Sequence, residues 1–204
     1  KEGKSNPLLE LQATIAAVEK KGSAERCQFP SRYAFLAKKL GWADDDAFAH
    51  CTEYLEWRRK IPSANALLIF PASYLNSPSS MFGHVLLRLD TSKHPEDVWS
   101  SWAINFGADI SNLDNSIVYA WRGLGGGYPG RFTIVPYVSK IQEYSHLENR
   151  DMWDYTLNLN TEEISRLIDH LWELHDINFD YYFLDENCAL RLLELLAVAK
   201  PDAS

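Results

Sequence analysis

Three side chains of this 204-residue chain have the chemistry of a thiol nucleophile and its helpers: Cys188, His84 and Asn105. Cys188 stands in Asp185-Glu186-Asn187-Cys188-Ala189-Leu190, where an irregular stretch gives way to an apolar helix. The chain has three cysteines. Cys27 and Cys51 flank one short N-terminal stretch and can bridge each other, which leaves Cys188 as the odd thiol, to pair between molecules or to react. Asn187 is a good N-cap, so Cys188 falls in the first helical turn, where free backbone N–H groups and the helix dipole favour a thiolate. The other reading is a small buried hydrophobe at a helix start.

A cysteine nucleophile needs a base, and His84 is the histidine placed to serve. It lies in Ser79-Ser80-Met81-Phe82-Gly83-His84-Val85-Leu86-Leu87-Arg88-Leu89, inside an otherwise apolar strand pattern, after a glycine that allows close backbone approach. It reads either as that base or as a satisfied core histidine. His170 and His175, five apart on one helix, face different ways and cannot chelate a metal together. His50, His94 and His146 show no partner in the sequence. Counting alternately through Val98–Phe106 puts Trp102, Ile104 and Phe106 on one strand face and Ser101, Ala103 and Asn105 on the other. That small, polar face would leave room for a site. Asn105 could there accept the Nδ1–H of His84 and fix its tautomer. It could equally be a strand-end asparagine entering the turn before Gly107.

The elements that must position these residues divide near Pro62. Before it, helical patterns run over Leu8–Lys20, Tyr33–Leu40 and Asp46–Arg59; in the first, Leu8, Leu11, Ile15 and Val18 recur at helical spacing. Asp44-Asp45-Asp46 reads as acidic residues at a helix N-terminus, since it lacks the glycine and distant glutamate of a calcium loop. After Pro62 come strand patterns at Ala66–Phe70, Met81–Leu89, Val98–Phe106, Arg131–Val135 and Met152–Leu159. Two helices close the chain: Thr161–His175, with Asn160 and Glu163 as a capping pair, and Cys188–Ala199. The expectation is an α+β fold, an antiparallel sheet packed with helices, with an N-terminal helical segment over 1–61 and the core over 62–204.

Composition narrows the class. Apolar residues make up 46% and aromatics 13%, which fits a globular protein. The net charge of −8 argues against nucleic acid and against adhesion to anionic lipid by charge. No apolar run approaches the roughly 20 residues of a membrane span, and no signal peptide is visible. Both ends read as those of a domain excised from a longer protein, so membrane proximity would come through portions absent from this chain. Gly125-Gly126-Gly127-Tyr128-Pro129-Gly130 satisfies G-x-G-x-x-G, but it contains Pro129 and runs into a strand, so a glycine-rich turn is expected and not a phosphate cradle. Asn76, Ser77, Ser79 and Ser80 crowd the loop before His84 and could hydrogen-bond around the site; a plain turn explains them too. Glu148, Arg150 and Asp151 read as an ion-pair network. The charges of Asp185 and Glu186 oppose thiolate formation unless they point to solvent. No cofactor and no metal is expected.

Four segments together resemble a family of bacterial envelope domains named after the lipoprotein N-acyltransferase Lnb, and in particular its N-terminal periplasmic domain. They are Pro71-Ala72-Ser73-Tyr74-Leu75-Asn76-Ser77-Pro78-Ser79-Ser80-Met81-Phe82-Gly83-His84, Gly123–Gly130, Glu148–Tyr155 and Phe179-Asp180-Tyr181-Tyr182-Phe183-Leu184-Asp185-Glu186-Asn187-Cys188. The histidine-before-cysteine order is also similar to circularly permuted papain relatives, a group that includes NlpC-type peptidases and lecithin-retinol acyltransferase. The resemblance implies Cys188 as nucleophile and His84 as base in a periplasmic, cell-envelope enzyme. Asn105 as the third member rests on strand counting. Tyr74, Asn76, Ser79, Ser80, Tyr128 and Tyr182 are the expected substrate-binding positions. The implied chemistry is acyl transfer through a thioester, from a phospholipid donor to a lipoprotein N-terminus. The alternatives are a cell-wall peptidase or amidase, and a non-catalytic binding module.

Overall fold

The computed structural model describes residues 5–72, 84–91, 98–108, 121, 123, 125–147, 151–182 and 185–201. In its N-terminal part, caps or prolines mark the starts of the first three helices. Asn6 accepts from the N–H groups of Leu8 and Leu9 to open α1 (Pro7–Glu19), and Ser23 opens α2 (Ala24–Gln28). Pro30, with its fixed φ, starts α3 (Pro30–Leu40), and Gly41 at φ 69° ends it. The third expected helix is α4, which spans only Thr52–Lys60, not Asp46–Arg59. Residues 44–51 instead form successive three-residue turns, Ala47 N–H to Asp44 O, Ala49 to Asp46 and Cys51 to Phe48. Asp44 is engaged elsewhere: its carboxylate takes a 2.7 Å bond from the buried Arg26 guanidinium, which also donates to the Val18 and Glu19 carbonyls. That bond holds Asp44 below the usual carboxylate range. Asp44 therefore anchors a buried arginine, and among the described residues the acidic triple caps no helix.

The expected disulfide is present. Cys27 and Cys51 are joined with their Cα atoms 5.2 Å apart, tying α2 to the start of α4.

The remaining elements are β1 (Asn65–Pro71), β2 (Leu86–Asp90), β3 (Trp102–Ala108), β4 (Tyr128–Pro136), α5 (Tyr137–Ile141), β5 (Met152–Thr156), α6 (Thr161–Leu174), β6 (Phe179–Tyr181) and α7 (Cys188–Ala199). A π-helical stretch, Gln142–Leu147, prolongs α5. The strands form one open antiparallel sheet in the order β5-β1-β2-β3-β4-β6, so the chain is an α+β protein with a helical N-terminal segment.

The sheet carries a core on each face. On one, Val85, Leu87, Leu89, Ile104, Phe106 and Phe132 pack under α6 and α7. Helix α6 buries Ile164, Leu167, Ile168 and Leu171, and its capping box joins Asn160 and Glu163 as expected. On the other face, Leu67, Ile69, Leu86 and Ala103 lie with Tyr137 and Tyr144. This face also buries Arg88, whose guanidinium donates to Asp90 at 2.8 and 3.1 Å, and Ser101, which donates to Asp90 at 2.8 Å.

The N-terminal helices dock on the outer side of α6. The Trp172 indole donates to the Cys27 carbonyl, and Tyr54 and Arg58 both donate to Asp169. The buried Glu173 carboxylate accepts the Arg32 backbone N–H at 2.9 Å, capping the first turn of α3 from a different element.

Several strand limits differ from expectation for visible reasons. Val98–Ser100 is a 3-10 turn, and the strand starts only at Trp102, after Ser101 has committed its hydroxyl to Asp90. Strand β5 stops at Thr156. Leu157 makes one more bond, to the Ala66 carbonyl, before the chain turns into α6.

Candidate functional site

Helix α7 begins at Cys188, as the Asn187 signal requires: the Asn187 carboxamide oxygen accepts the N–H groups of Ala189 and Leu190 at 3.0 and 3.4 Å. Cys188 is a free thiol, 3% exposed, in the core on the α6–α7 face of the sheet. Burial pushes its pKa up from the ordinary thiol value, and the backbone N–H groups of Val85, Ala189 and Cys188 itself pull it down. Burial prevails. The thiol is therefore protonated at rest, against the expectation that the helix start alone would favour a thiolate, because the same position that supplies donors also excludes water.

The flanking acids do not oppose it. Asp185 is exposed, and Glu186 is paired with Arg191 one turn into α7. Arg191 also meets Glu194 and lies 4.7 Å over the Phe179 ring.

His84 lies just ahead of β2 instead of inside it. Its Nε2 is 2.7 Å from the Asn105 carboxamide oxygen. An amide oxygen only accepts, so Nε2 carries the proton and Nδ1 is the basic nitrogen. The expected pairing is therefore made through the other nitrogen. Asn105 also sits beside Gly107, where an added Cβ would come 3.5 Å from its Nδ2. The His84 ring has Tyr144 as a neighbour, centroids 6.1 Å apart.

These contacts place His84 and Asn105 on the sheet face of Ala103 and Tyr144, while Cys188 and Val85 lie on the other. The face that alternate counting leaves small and open is in part a second core, covered by α5 and the π-helical stretch. Sequence periodicity gave no signal for that cover. The two halves meet at the start of β2: the Cys188 sulfur faces the Val85 N–H, and His84 is the preceding residue.

Of the expected substrate-binding positions, Tyr74, Asn76, Ser79 and Ser80 lie outside the described residues, as do Phe183, Leu184, Glu148 and Arg150. Tyr128 is buried at the first position of β4, opposite Tyr181. Tyr182 packs over Gly126, whose φ of 75° and lack of a Cβ make room for the ring. The glycine-rich segment is thus a packed turn leading into β4, not a phosphate cradle. A groove of about 720 Å³, lined by Leu11, Phe35, Ala197 and Val198 among others, lies near the C-terminal end of α7. At 1.5 Å per residue that end is roughly 14 Å or more from Cys188.

The family model of the Lnb N-terminal periplasmic domain matches residues 53–204, which include Cys188, His84, Asn105 and the whole sheet. The chain belongs to this family. A second model, described as a domain of unknown function, matches residues 1–39, which hold α1, α2 and nearly all of α3. No curated protein and no solved structure matches the chain. As an Lnb N-terminal periplasmic domain it is a protein of the bacterial envelope, and the Cys27–Cys51 bridge suits that oxidising compartment. Among the described residues, no helix is long and apolar enough to cross a membrane.

Proposed function

We propose that this Lnb-type domain is a cysteine acyltransferase, with Cys188 as nucleophile, His84 as base and Asn105 as the residue that orients it. The observation that carries the proposal is the convergence at the start of β2: a helix-opening thiol whose sulfur faces the N–H of Val85, the residue that follows a histidine whose Nε2 is hydrogen-bonded to an asparagine.

Because the thiol is protonated at rest, proton transfer accompanies attack and does not precede it. At the start of β2, where the two halves of the site meet, Nδ1 of His84 takes the Cys188 proton while Nε2 stays hydrogen-bonded to Asn105. Sγ then adds to the ester carbonyl of a phospholipid. The backbone N–H of Cys188 at the helix start faces the oxyanion. The ester C–O bond breaks, the departing alkoxide takes the proton from His84, and a thioester remains on Cys188. The α-amine of a lipoprotein then attacks the thioester and loses a proton to His84. The C–S bond breaks and the thiol is restored.

The test supplies phospholipid together with a peptide bearing a lipoprotein-type N-terminal amine. The expected product is the N-acylated peptide, formed by the wild type and not by Cys188→Ser. Cysteine-dependent cleavage of cell-wall peptides without N-acylation would assign the site to a peptidase. Neither activity would leave a binding module.

A further inference from the structure

Three aromatic side chains lie exposed on the sheet face that holds Cys188, and the site as described so far gives them no role. Phe70 is 39% exposed, Trp153 52% and Tyr155 58%. Strand pairing fixes their face. Leu68 pairs with Tyr155 and Phe70 with Trp153, while Leu68 and Leu157 pack into the core beneath α6 and α7. Residues that alternate along a strand share a face, so Phe70, Trp153 and Tyr155 point to the same side as Cys188. The Phe70 and Tyr155 rings meet edge-on at 5.7 Å.

Continuing the β1–β2 register by one residue from Ile69↔Leu86 sets Phe70 beside Val85, whose N–H faces the Cys188 sulfur. The row then reads Val85, Phe70, Trp153 across three strands, about 10 Å at the usual strand spacing. Continuing the register on the other side of Val85 brings Phe106 and Phe132, which are buried under the helices. One aromatic row thus crosses the sheet, covered on one side of the thiol and open on the other.

We infer that the open half, Phe70 with Trp153 and Tyr155, is the seat of the donor's acyl chain. This rests on the acyl-transfer reading of Cys188 and adds to it the surface that selects the substrate. The chemistry of the strip fits an apolar chain lying flat. The acidic side chain between Trp153 and Tyr155, Asp154, turns to the opposite face, where it lies 3.7 Å from the Arg88 guanidinium. The three rings offer width and no charge, and a chain laid along them ends at Val85, with its carbonyl at the sulfur. A peptide would more readily use the backbone of β5, the edge strand, than these ring faces.

The measurement separates seating from chemistry by using Cys188→Ser, in which no acyl group is transferred. A single-chain lysophospholipid brominated along its acyl chain, kept below its micellar concentration, serves as probe and quencher. The expected result is saturable quenching of part of the tryptophan emission. That quenched fraction disappears in Trp153→Phe, which retains the ring and the binding. In a Phe70→Ser/Tyr155→Ser double variant, affinity falls about tenfold or more. These residues are exposed, so circular dichroism of the variants matches the parent. Quenching unchanged in Trp153→Phe, or affinity unchanged in the double variant, would overturn the inference. So would binding of extended peptides, in place of lipid, that the double variant weakens. Saturable lipid binding here with no transfer by the wild type would keep the seat and remove the chemistry.

Discussion

At the scale of single residues, the resting state of Cys188 decides the kind of catalysis available. A buried thiol with its pKa raised is not half of a preformed ion pair, so His84 acts as a general base during attack. Alkylation of Cys188 by iodoacetamide is accordingly expected to be slow at pH 7 and to rise with an inflection above the ordinary thiol value of about 8.5. A plateau near neutrality would show a stable thiolate instead. The same shift sets a sign for stability. Between the unfolded and folded pKa values the unfolded chain has lost a proton that the native state retains. The wild type therefore loses stability relative to Cys188→Ala as pH rises past about 8.5, and below it the difference between the two proteins does not change with pH. Urea midpoints of the two proteins at pH 7 and pH 9.5 check this; parallel changes would contradict it. The Asn105 carboxamide oxygen hydrogen-bonds to the base. Asn105→Ala is expected to lower kcat roughly ten- to a hundredfold with KM little changed, since ring orientation is lost and the nucleophile kept. Loss of all activity, or a change in KM alone, would give Asn105 a different role.

At the scale of elements, local chemistry and long-range pairing divide what the sequence could reveal. The limits of helix α7 were legible because Asn187 caps it, but its buried face was legible only in part: Leu192 is buried as its spacing implies, Leu193 is exposed, and Leu195 and Ala199 complete the face. The Asn160–Glu163 box made the start of α6 legible in the same way. Strand positions were broadly legible from apolar runs, but β6 is three residues long and depends on pairing with β4. The cover of the second face was not legible either, because it packs through the scattered Tyr137, Ile141 and Tyr144, which form no strong periodic stripe. That omission hid the side on which His84 and Asn105 meet. The turn before β4 tests the packing account. At Gly126 a Cβ would enter the Tyr182 ring, and φ is positive, whereas at Gly125 nothing lies within 4 Å. Gly126→Ala is expected to cost about 1–3 kcal/mol and Gly125→Ala no more than about 0.5 kcal/mol. Equal losses in thermal unfolding would mean that the Tyr182 contact does not hold the turn.

At the scale of the whole molecule, the N-terminal helices are joined to the sheet through α6, and within them the disulfide ties α2 to the start of α4. The bridge closes a sequence separation of 24 residues, so reducing it is expected to cost roughly 3 kcal/mol on the chain-entropy account. Denaturant midpoints with and without reductant measure this, and an unchanged midpoint would contradict it. The sheet's asymmetry has the larger functional meaning: helices cover one side of the Cys188 row and leave Phe70 and Trp153 open on the other. That arrangement makes sense if the thiol receives an acyl group from a lipid. The most direct measurement is the intact mass of the protein after incubation with phospholipid and no acceptor amine. Thioester formation without aminolysis should leave a fatty-acyl mass on the wild type, removable by hydroxylamine and absent from Cys188→Ser. An unmodified wild type, or an equal adduct on Cys188→Ser, would contradict the account.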